Sequence, residues 1–252
     1  MRNHRVACIT GSGRKRVGRS VAEALAQRGY HVALHYHTAV AEAEEAAREL
    51  ARDGVSAAAF SADLTQESEV AALFDRIVAR FGRLDVLVHC AAIWSPQRLE
   101  STTAADVRRF FDVNALSTFL CAQRAGLRMV EQPEGGCIIT VGDWATARPY
   151  LHHTAYFMSK AVIPTLTRTL AVELGQRNPA VRVNCVLPGP VMMPSTVPES
   201  ERQRVVAATL VRREGTPDHV AQAALALIEN DFITGACLPV DGGRTIFSGQ
   251  AE

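Results

Sequence analysis

Val6-Ala7-Cys8-Ile9-Thr10-Gly11-Ser12-Gly13-Arg14-Lys15-Arg16-Val17-Gly18 is the stretch on which the fold turns. Its first five residues form a short apolar run, as in a buried strand. Glycines follow at once, and residues 20–28 then carry helical periodicity closed by Gly29. A strand, a glycine-containing turn and a helix form a cradle in which backbone N–H groups and a helix N-terminus face an anion. The strict Gly-x-Gly-x-x-Gly pattern fails, because its third glycine would fall on Arg16. An ordinary strand-to-helix turn stays open as the plainer reading of these residues.

Outward from that stretch the same alternation continues. Strands are expected over residues 31–36, 55–60, 84–92, 137–141, 181–186 and 236–243. Helices are expected over residues 41–52, 67–81, 104–129, 154–174 and 217–230. Strands alternating with helices imply an α/β fold: a doubly wound parallel sheet covered on both faces. The length suits a single domain over residues 1–252. Met192, Met193, Pro194 and Pro198 break the rhythm, and the segment at about residues 190–215 is read as a substrate lid. Pro164 cannot donate to the carbonyl of Lys160, so a kink or widened turn is expected just after that lysine.

Composition narrows the partners. A net charge of +1 gives no electrostatic case for nucleic acid or a membrane surface. No apolar run is long enough to span a bilayer, and Met1-Arg2-Asn3-His4-Arg5 is unlike a signal peptide. Cys8, Cys90, Cys121, Cys137, Cys185 and Cys237 are scattered without any Cys-x-x-Cys. They are read as buried, reduced thiols of a cytoplasmic protein, with no metal site.

Tyr156 and Lys160 are four apart, and so share one face of the helix expected from residue 154. An ammonium near a phenol favours the phenolate, so Lys160 is expected to lower the Tyr156 pKa and make a usable proton donor. Near the second strand's end, His35-Tyr36-His37-Thr38 lacks the acid that bonds the adenosine ribose in NAD-binding folds. With Arg14, Lys15 and Arg16 it makes a basic rim suited to the 2′-phosphate of NADP(H). Ala91 and Ala92 end the fourth strand, where small residues let a nicotinamide ribose approach the backbone. His152 and His153 lie close to Tyr156 in sequence and could line the pocket, with loop surface the plainer reading.

Together Thr10-Gly11 through Gly18, Asp63-Leu64, Asn114, Tyr156 to Lys160, Pro188-Gly189 and Val240-Asp241-Gly242-Gly243 resemble the short-chain dehydrogenase/reductase family over essentially the whole chain. The resemblance implies a Rossmann-type sheet of seven parallel strands, a nicotinamide cofactor and a homotetramer of 222 symmetry. It makes Tyr156 the proton donor, sets Lys160 on the nicotinamide ribose, and gives Asn114 a water in a proton relay. The cofactor would lie along Gly11, Lys15, Arg16, Val17 and Gly18. It would continue past His35, Tyr36, His37 and Thr38, then Asp63 and Leu64, and finally Ala91, Pro188 and Gly189.

Two departures bear on the substrate. Asp143 stands thirteen residues before Tyr156, where the family usually has serine, and His89-Cys90-Ala91-Ala92 replaces Asn-Asn-Ala-Gly. Asp143, with Arg16 in the turn, resembles the pteridine reductase branch, in which Trp94 would stack on a pterin. Thr38-Ala39 differs from that branch's Arg-Ser. The expected function is NADPH-dependent hydride transfer to a pterin-like imine. Reduction of a keto group, as by a carbonyl reductase or alcohol dehydrogenase, is the alternative, and a non-catalytic NADP-binding sensor is a third. An ionised Asp143 only accepts hydrogen bonds, which suits a substrate with N–H donors.

Overall fold

The computed structural model describes residues 4–51 and 54–247. Seven strands form one all-parallel sheet: β1 (Val6–Thr10), β2 (His31–Tyr36), β3 (Ala57–Ser61), β4 (Val86–His89), β5 (Gly136–Val141), β6 (Val181–Pro188) and β7 (Cys237–Val240). Their order is β3-β2-β1-β4-β5-β6-β7. β1 therefore pairs with β2 on one side and β4 on the other. The winding reverses between β1 and β4, and such a switch point opens a crevice at the carboxyl ends of the strands.

The helices are α1 (Val17–Gln27), α2 (Val40–Leu50), α3 (Glu67–Phe81), α4 (Ala104–Phe110), α5 (Ser117–Val130), α6 (Thr154–Ala161), α7 (Ile163–Gly175), α8 (Glu199–Ala207) and α9 (Pro217–Glu229). Leu73, Phe74, Ile77, Leu120, Met129, Leu170 and Leu174 bring α3, α5 and α7 onto one face of the sheet. Val21, Leu25, Val220, Leu225 and Ile228 bring α1 and α9 onto the other. Both faces being covered, β1 and β4 are buried along their whole length. Burial of this apolar set is the main favourable term in folding.

The element boundaries agree with the sequence pattern to within a few residues, with one instructive difference. The helix expected as one piece over residues 104–129 is three: α4, a π-helical turn at Phe111–Leu116, and α5. A widened turn adds one residue without changing composition, so periodicity does not reveal it. Residue 52, the expected end of the second helix, lies outside the described residues. The kink after Lys160 is present: α6 ends at Ala161 and α7 begins at Ile163, with Pro164 in its first turn. Residues 190–215 hold α8, pinned where Glu214 accepts from Met193 N at 2.8 Å and pairs with Arg202. No helix among the described residues is long and apolar enough to cross a membrane. The cysteines are free; Cys90 and Cys237 are half-buried and the other four buried.

Arg182 on β6 closes the far end of the fold. Its guanidinium donates to the carbonyls of Leu227, Ile228 and Ile233 at 2.8 Å each, satisfying the last turn of α9 and the loop beyond. Arg182→Met keeps the apolar stem and leaves the Leu227 and Ile228 carbonyls without their guanidinium donor, while Ile233 O keeps Asn184 Nδ2 at 2.8 Å. It is expected to cost roughly 2–4 kcal/mol of unfolding free energy, read from urea denaturation.

Candidate active site

The carboxyl ends of β1, β4, β5 and β6 surround the crevice, and the turn after β1 is shaped for close approach. Gly11 has φ +64, and a Cβ there would sit 2.9 Å from Ala91 Cα. A Cβ on Gly18 would sit 2.8 Å from the carbonyl oxygen of Gly11. Only glycine fits either place. No side chain caps the N-terminus of α1, and its first turn holds no acid. Its N–H groups are thus left for an external anion, and the cradle fits a dinucleotide pyrophosphate.

Along the rim, Lys15, Arg16, His37 and Thr38 are exposed and Tyr36 is half-buried. Arg14 is paired with Glu42 at 3.7 Å. His35 does not join them. It is 3% exposed, accepts from Gly11 N at 3.2 Å through Nδ1 and donates from Nε2 to the carbonyl of Ala62 at 3.0 Å. Burial pulls its pKa down to about 4, so it is a neutral strut under the glycine turn. The alternation of a strand puts His35 and Tyr36 on opposite faces, and His35 drew the inward one. Asp63, just past β3, accepts from Thr65 N at 3.0 Å and Thr65 Oγ1 at 2.7 Å, and Leu64 is buried beside it. Pro188 ends β6, and Gly189 lies so close to Asp241 that a Cβ would meet its Cα at 2.5 Å.

At the reacting end, Tyr156 and Lys160 are buried on α6. Tyr156 Oη donates to Asp143 Oδ2 at 2.6 Å, while Asp143 Oδ1 accepts from Ala145 N at 2.8 Å. Lys160 Nζ donates to the carbonyl of Val141, the last residue of β5, at 2.8 Å. Burial raises the Asp143 pKa against the hydrogen bond from Tyr156 and the charge of Lys160. Burial, and then the charge of Asp143, raise Tyr156 well above the ordinary phenol value. Burial lowers Lys160, with Asp143 opposing. The expected lowering of Tyr156 by Lys160 is therefore not found: the phenol meets a carboxyl, and the ammonium is turned onto a backbone carbonyl.

Asn114 sits in the π-helical turn and clamps two segments together. Its Oδ1 accepts from Ile93 N at 2.8 Å, and its Nδ2 donates to Ile93 O at 3.1 Å and Ser159 Oγ at 2.9 Å. Ser159 Oγ donates in turn to the carbonyl of Tyr156 at 2.6 Å. Both Nδ2 hydrogens are thus engaged within the protein, and one Oδ1 lone pair is left for a water.

His89 explains its own departure from the family pattern. Thr10 Oγ1 accepts from Cys90 N and Ala91 N at 3.0 and 3.1 Å, so its own hydrogen goes to His89 Nδ1 at 3.2 Å. His89 Nε2 then donates to Ser117 Oγ at 3.2 Å, and Ser117 donates to the carbonyl of Val113 at 2.5 Å. Burial, and then the Lys160 charge, push the His89 pKa down to about 3, which keeps this relay neutral.

Trp94 is 46% exposed and stacks on His153 with centroids 4.8 Å apart. Its Nε1 donates to Tyr150 Oη at 3.3 Å. His152 is exposed as expected, but His153 is buried. Four neighbours of the site carried no signal in the sequence. Tyr150 bridges Trp94 and Trp144. The Arg244 guanidinium lies 4.7 Å over the Trp144 ring, and Arg148 donates to the carbonyls of Arg244 and Phe247 at 2.8 and 2.7 Å. These contacts fold the C-terminal segment over the loop after β5. No metal-binding cluster occurs among the described residues.

A family model described as enoyl-(acyl carrier protein) reductase matches residues 13–245. Glucose 1-dehydrogenase 2 of Bacillus subtilis is 30% identical, with 98% of this chain and 97% of that protein covered. A short-chain type dehydrogenase/reductase of Picea abies is 34% identical, covering 95% and 92%. The crystal structure of an acetoin dehydrogenase from Salmonella typhimurium superposes with a TM-score of 0.87 at 30% identity, covering 97% and 98%. The chain belongs to the short-chain dehydrogenase/reductase family, whose members are nicotinamide-dependent oxidoreductases. None of these relatives is a pteridine reductase.

The raised Asp143 pKa has a stability consequence of definite sign. The unfolded chain ionises this carboxyl at the ordinary ~3.9, and the folded chain only at higher pH. Its contribution to stability is therefore whole below the ordinary range and is lost as pH rises through the folded pKa. Asp143→Asn is expected to raise Tm relative to wild type at neutral pH, with the difference closing below pH ~3.9, as scanned by calorimetry.

Proposed function

We propose that this protein interconverts a ketone and a secondary alcohol on a small molecule, with NADP(H) as hydride carrier. The observation that carries the reading is the 2.6 Å hydrogen bond between Tyr156 Oη and Asp143 Oδ2, buried beside Lys160. A carbonyl oxygen gains negative charge as its carbon takes hydride, and it needs O–H donors. An ionised Asp143 would repel it. Burial shifts the Asp143 pKa upward, toward the carboxylic acid, and in that form it can donate as a serine hydroxyl would. Tyr156 gives its proton to the oxygen, and Asp143, already bonded to the phenol, holds the second donor position. Lys160 adds a positive charge behind them and, through its tie to Val141, is placed to meet a ribose hydroxyl. When bound, the nicotinamide supplies or takes up the hydride. Relatives named as dehydrogenases and a carbonyl reductase support the same class.

A second reading, reduction of a pterin-like imine, is favoured by one feature: the exposed Trp94 ring close to the Asp143–Tyr156 pair. NADP(H) rather than NAD(H) is favoured by the absence of an acid after β2 and by the exposed Lys15 and Arg16. The site residues proposed for the dinucleotide are those of the sequence analysis, with His35 as a support beneath them. A homotetramer is favoured by apolar side chains left exposed along α5, α6, α7 and the turns beside them: Leu116, Leu127, Met158, Val162 and Val172.

Tyr156→Phe is expected to cut turnover by roughly 100-fold or more while leaving dinucleotide binding intact; near-normal turnover would remove Tyr156 from the chemistry. Asp143→Ser separates the two substrates. The ketone reading expects ketone reduction to survive within roughly tenfold, because a hydroxyl donor is retained. The pterin reading expects dihydropterin reduction to collapse. A fluorescence titration is expected to show NADPH bound at least ~10-fold more tightly than NADH, on the order of one charge-assisted contact. Light scattering is expected to give the mass of four chains, and a monomer mass refutes the assembly.

A further inference from the structure

One nitrogen of His153 is in use and the other has no partner. Nδ1 lies 2.8 Å from the carbonyl oxygen of Leu151. A carbonyl only accepts, so in the neutral ring the hydrogen is on Nδ1 and Nε2 is a lone-pair acceptor. Nε2 is buried and without a hydrogen-bond partner, a condition shared among the described residues only by Arg124 Nε. Arg124 is engaged elsewhere, through Nη2 with Asp75 on the outer surface. Leaving a buried acceptor unpaired is costly, and native folds seldom do so without a reason.

The fold works to keep the ring there. His152 adopts φ 66, the left-handed region that non-glycine residues avoid. Such strain persists where surrounding contacts over-determine it. Here the carbonyl of His152 accepts from Gln97 N at 2.6 Å, which locks the loop before α6 onto the segment after β4. One face of the imidazole stacks on Trp94, Tyr150 meets it edge-on at 4.8 Å, and the Tyr156 ring lies 6.4 Å away. The ring that carries the unpaired acceptor is thus a neighbour of the Tyr156 ring. Trp94 and Tyr150 are the exposed members of this cluster. They are 46% and 41% exposed, and a single 3.3 Å hydrogen bond joins them.

We infer that Nε2 of His153 is a recognition point for the substrate, accepting a hydrogen bond from an O–H or N–H group carried near the reacting carbonyl. The ligand class is a small hydroxy- or amino-ketone, and the inference rests on the ketone–alcohol reading above. Binding displaces the Trp94–Tyr150 pair and gives the buried acceptor its donor. A ketone without a donor leaves the acceptor unpaired and binds less well, so discrimination falls mainly on KM.

The test compares 2-hydroxycyclohexanone with 2-methoxycyclohexanone, which keeps the oxygen and loses the donor. Wild-type protein is expected to favour the hydroxy ketone by about tenfold in kcat/KM, mostly through KM. In His153→Phe, which keeps a flat ring against Trp94, that ratio should fall to about one. In His153→Gln, whose Oε1 accepts near the place of Nε2, it should partly return. A wild-type ratio near one, or an unchanged ratio in His153→Phe, overturns the inference. Turnover of neither ketone defeats the functional reading, and nitrogen NMR of histidine-labelled protein with the dinucleotide then decides the inference alone. The hydroxy ketone should shift the Nε2 resonance of His153, identified by its loss in His153→Phe, and the methoxy ketone should not. An Nε2 resonance unmoved by the hydroxy ketone overturns it.

Discussion

The close approach of Gly11 to Ala91 sets where the other functional groups stand. A Cβ on Gly11 would lie 2.9 Å from Ala91 Cα, so the turn after β1 and the exit of β4 nearly touch. That contact sits at the switch point of a sheet ordered β3-β2-β1-β4-β5-β6-β7. It leaves backbone, not side chain, at the crevice floor, where a dinucleotide would lie. His35 supports it from below by accepting from Gly11 N and donating to Ala62 O, which ties β1, β2 and the exit of β3 together. Thr10 supports it from the side by accepting the N–H groups of Cys90 and Ala91.

From that floor a polar chain runs outward to the helices. Thr10, His89, Ser117 and the carbonyl of Val113 form a line of hydrogen bonds with a fixed proton direction. It ends one residue before Asn114, in the π-helical turn. Asn114 then joins Ile93 to Ser159, and Ser159 joins the carbonyl of Tyr156. Each link is fully paired, and paired buried networks rigidify rather than weaken a core. The position of the phenol thus descends from the glycine turn through a series of named contacts. A histidine in place of the family's asparagine fits because both its nitrogens find hydroxyl partners.

Electrostatically the site is a balance between burial and charge. Burial pushes Asp143 and Tyr156 up and Lys160 down, and each shift disfavours an ion. The charges of Asp143 and Lys160 act the other way, each favouring the other. Burial shifts Asp143 toward its neutral form, the form compatible with a carbonyl substrate. The same residue that suggests a pterin from its identity alone is, once buried, compatible with a ketone.

The succession of strands and helices, the glycine turn, the Tyr156–Lys160 face and the break at Pro164 were legible in the order of residues. These are local properties: a period of two or 3.6 residues, a missing N–H, a residue without a Cβ. That order also marked Asp143 and His89 as unusual, without saying what they do. Long-range packing turns His35 inward, sets Lys160 on Val141 rather than the phenol, and buries His153 with a bare nitrogen. The π-helical turn at Asn114 and the fold of Arg148 and Arg244 around Trp144 belong with these. Each of those depends on partners brought together from distant parts of the chain. Burial and hydrogen-bond partnership set the charge of an ionisable side chain, and both exist only once the sheet has closed.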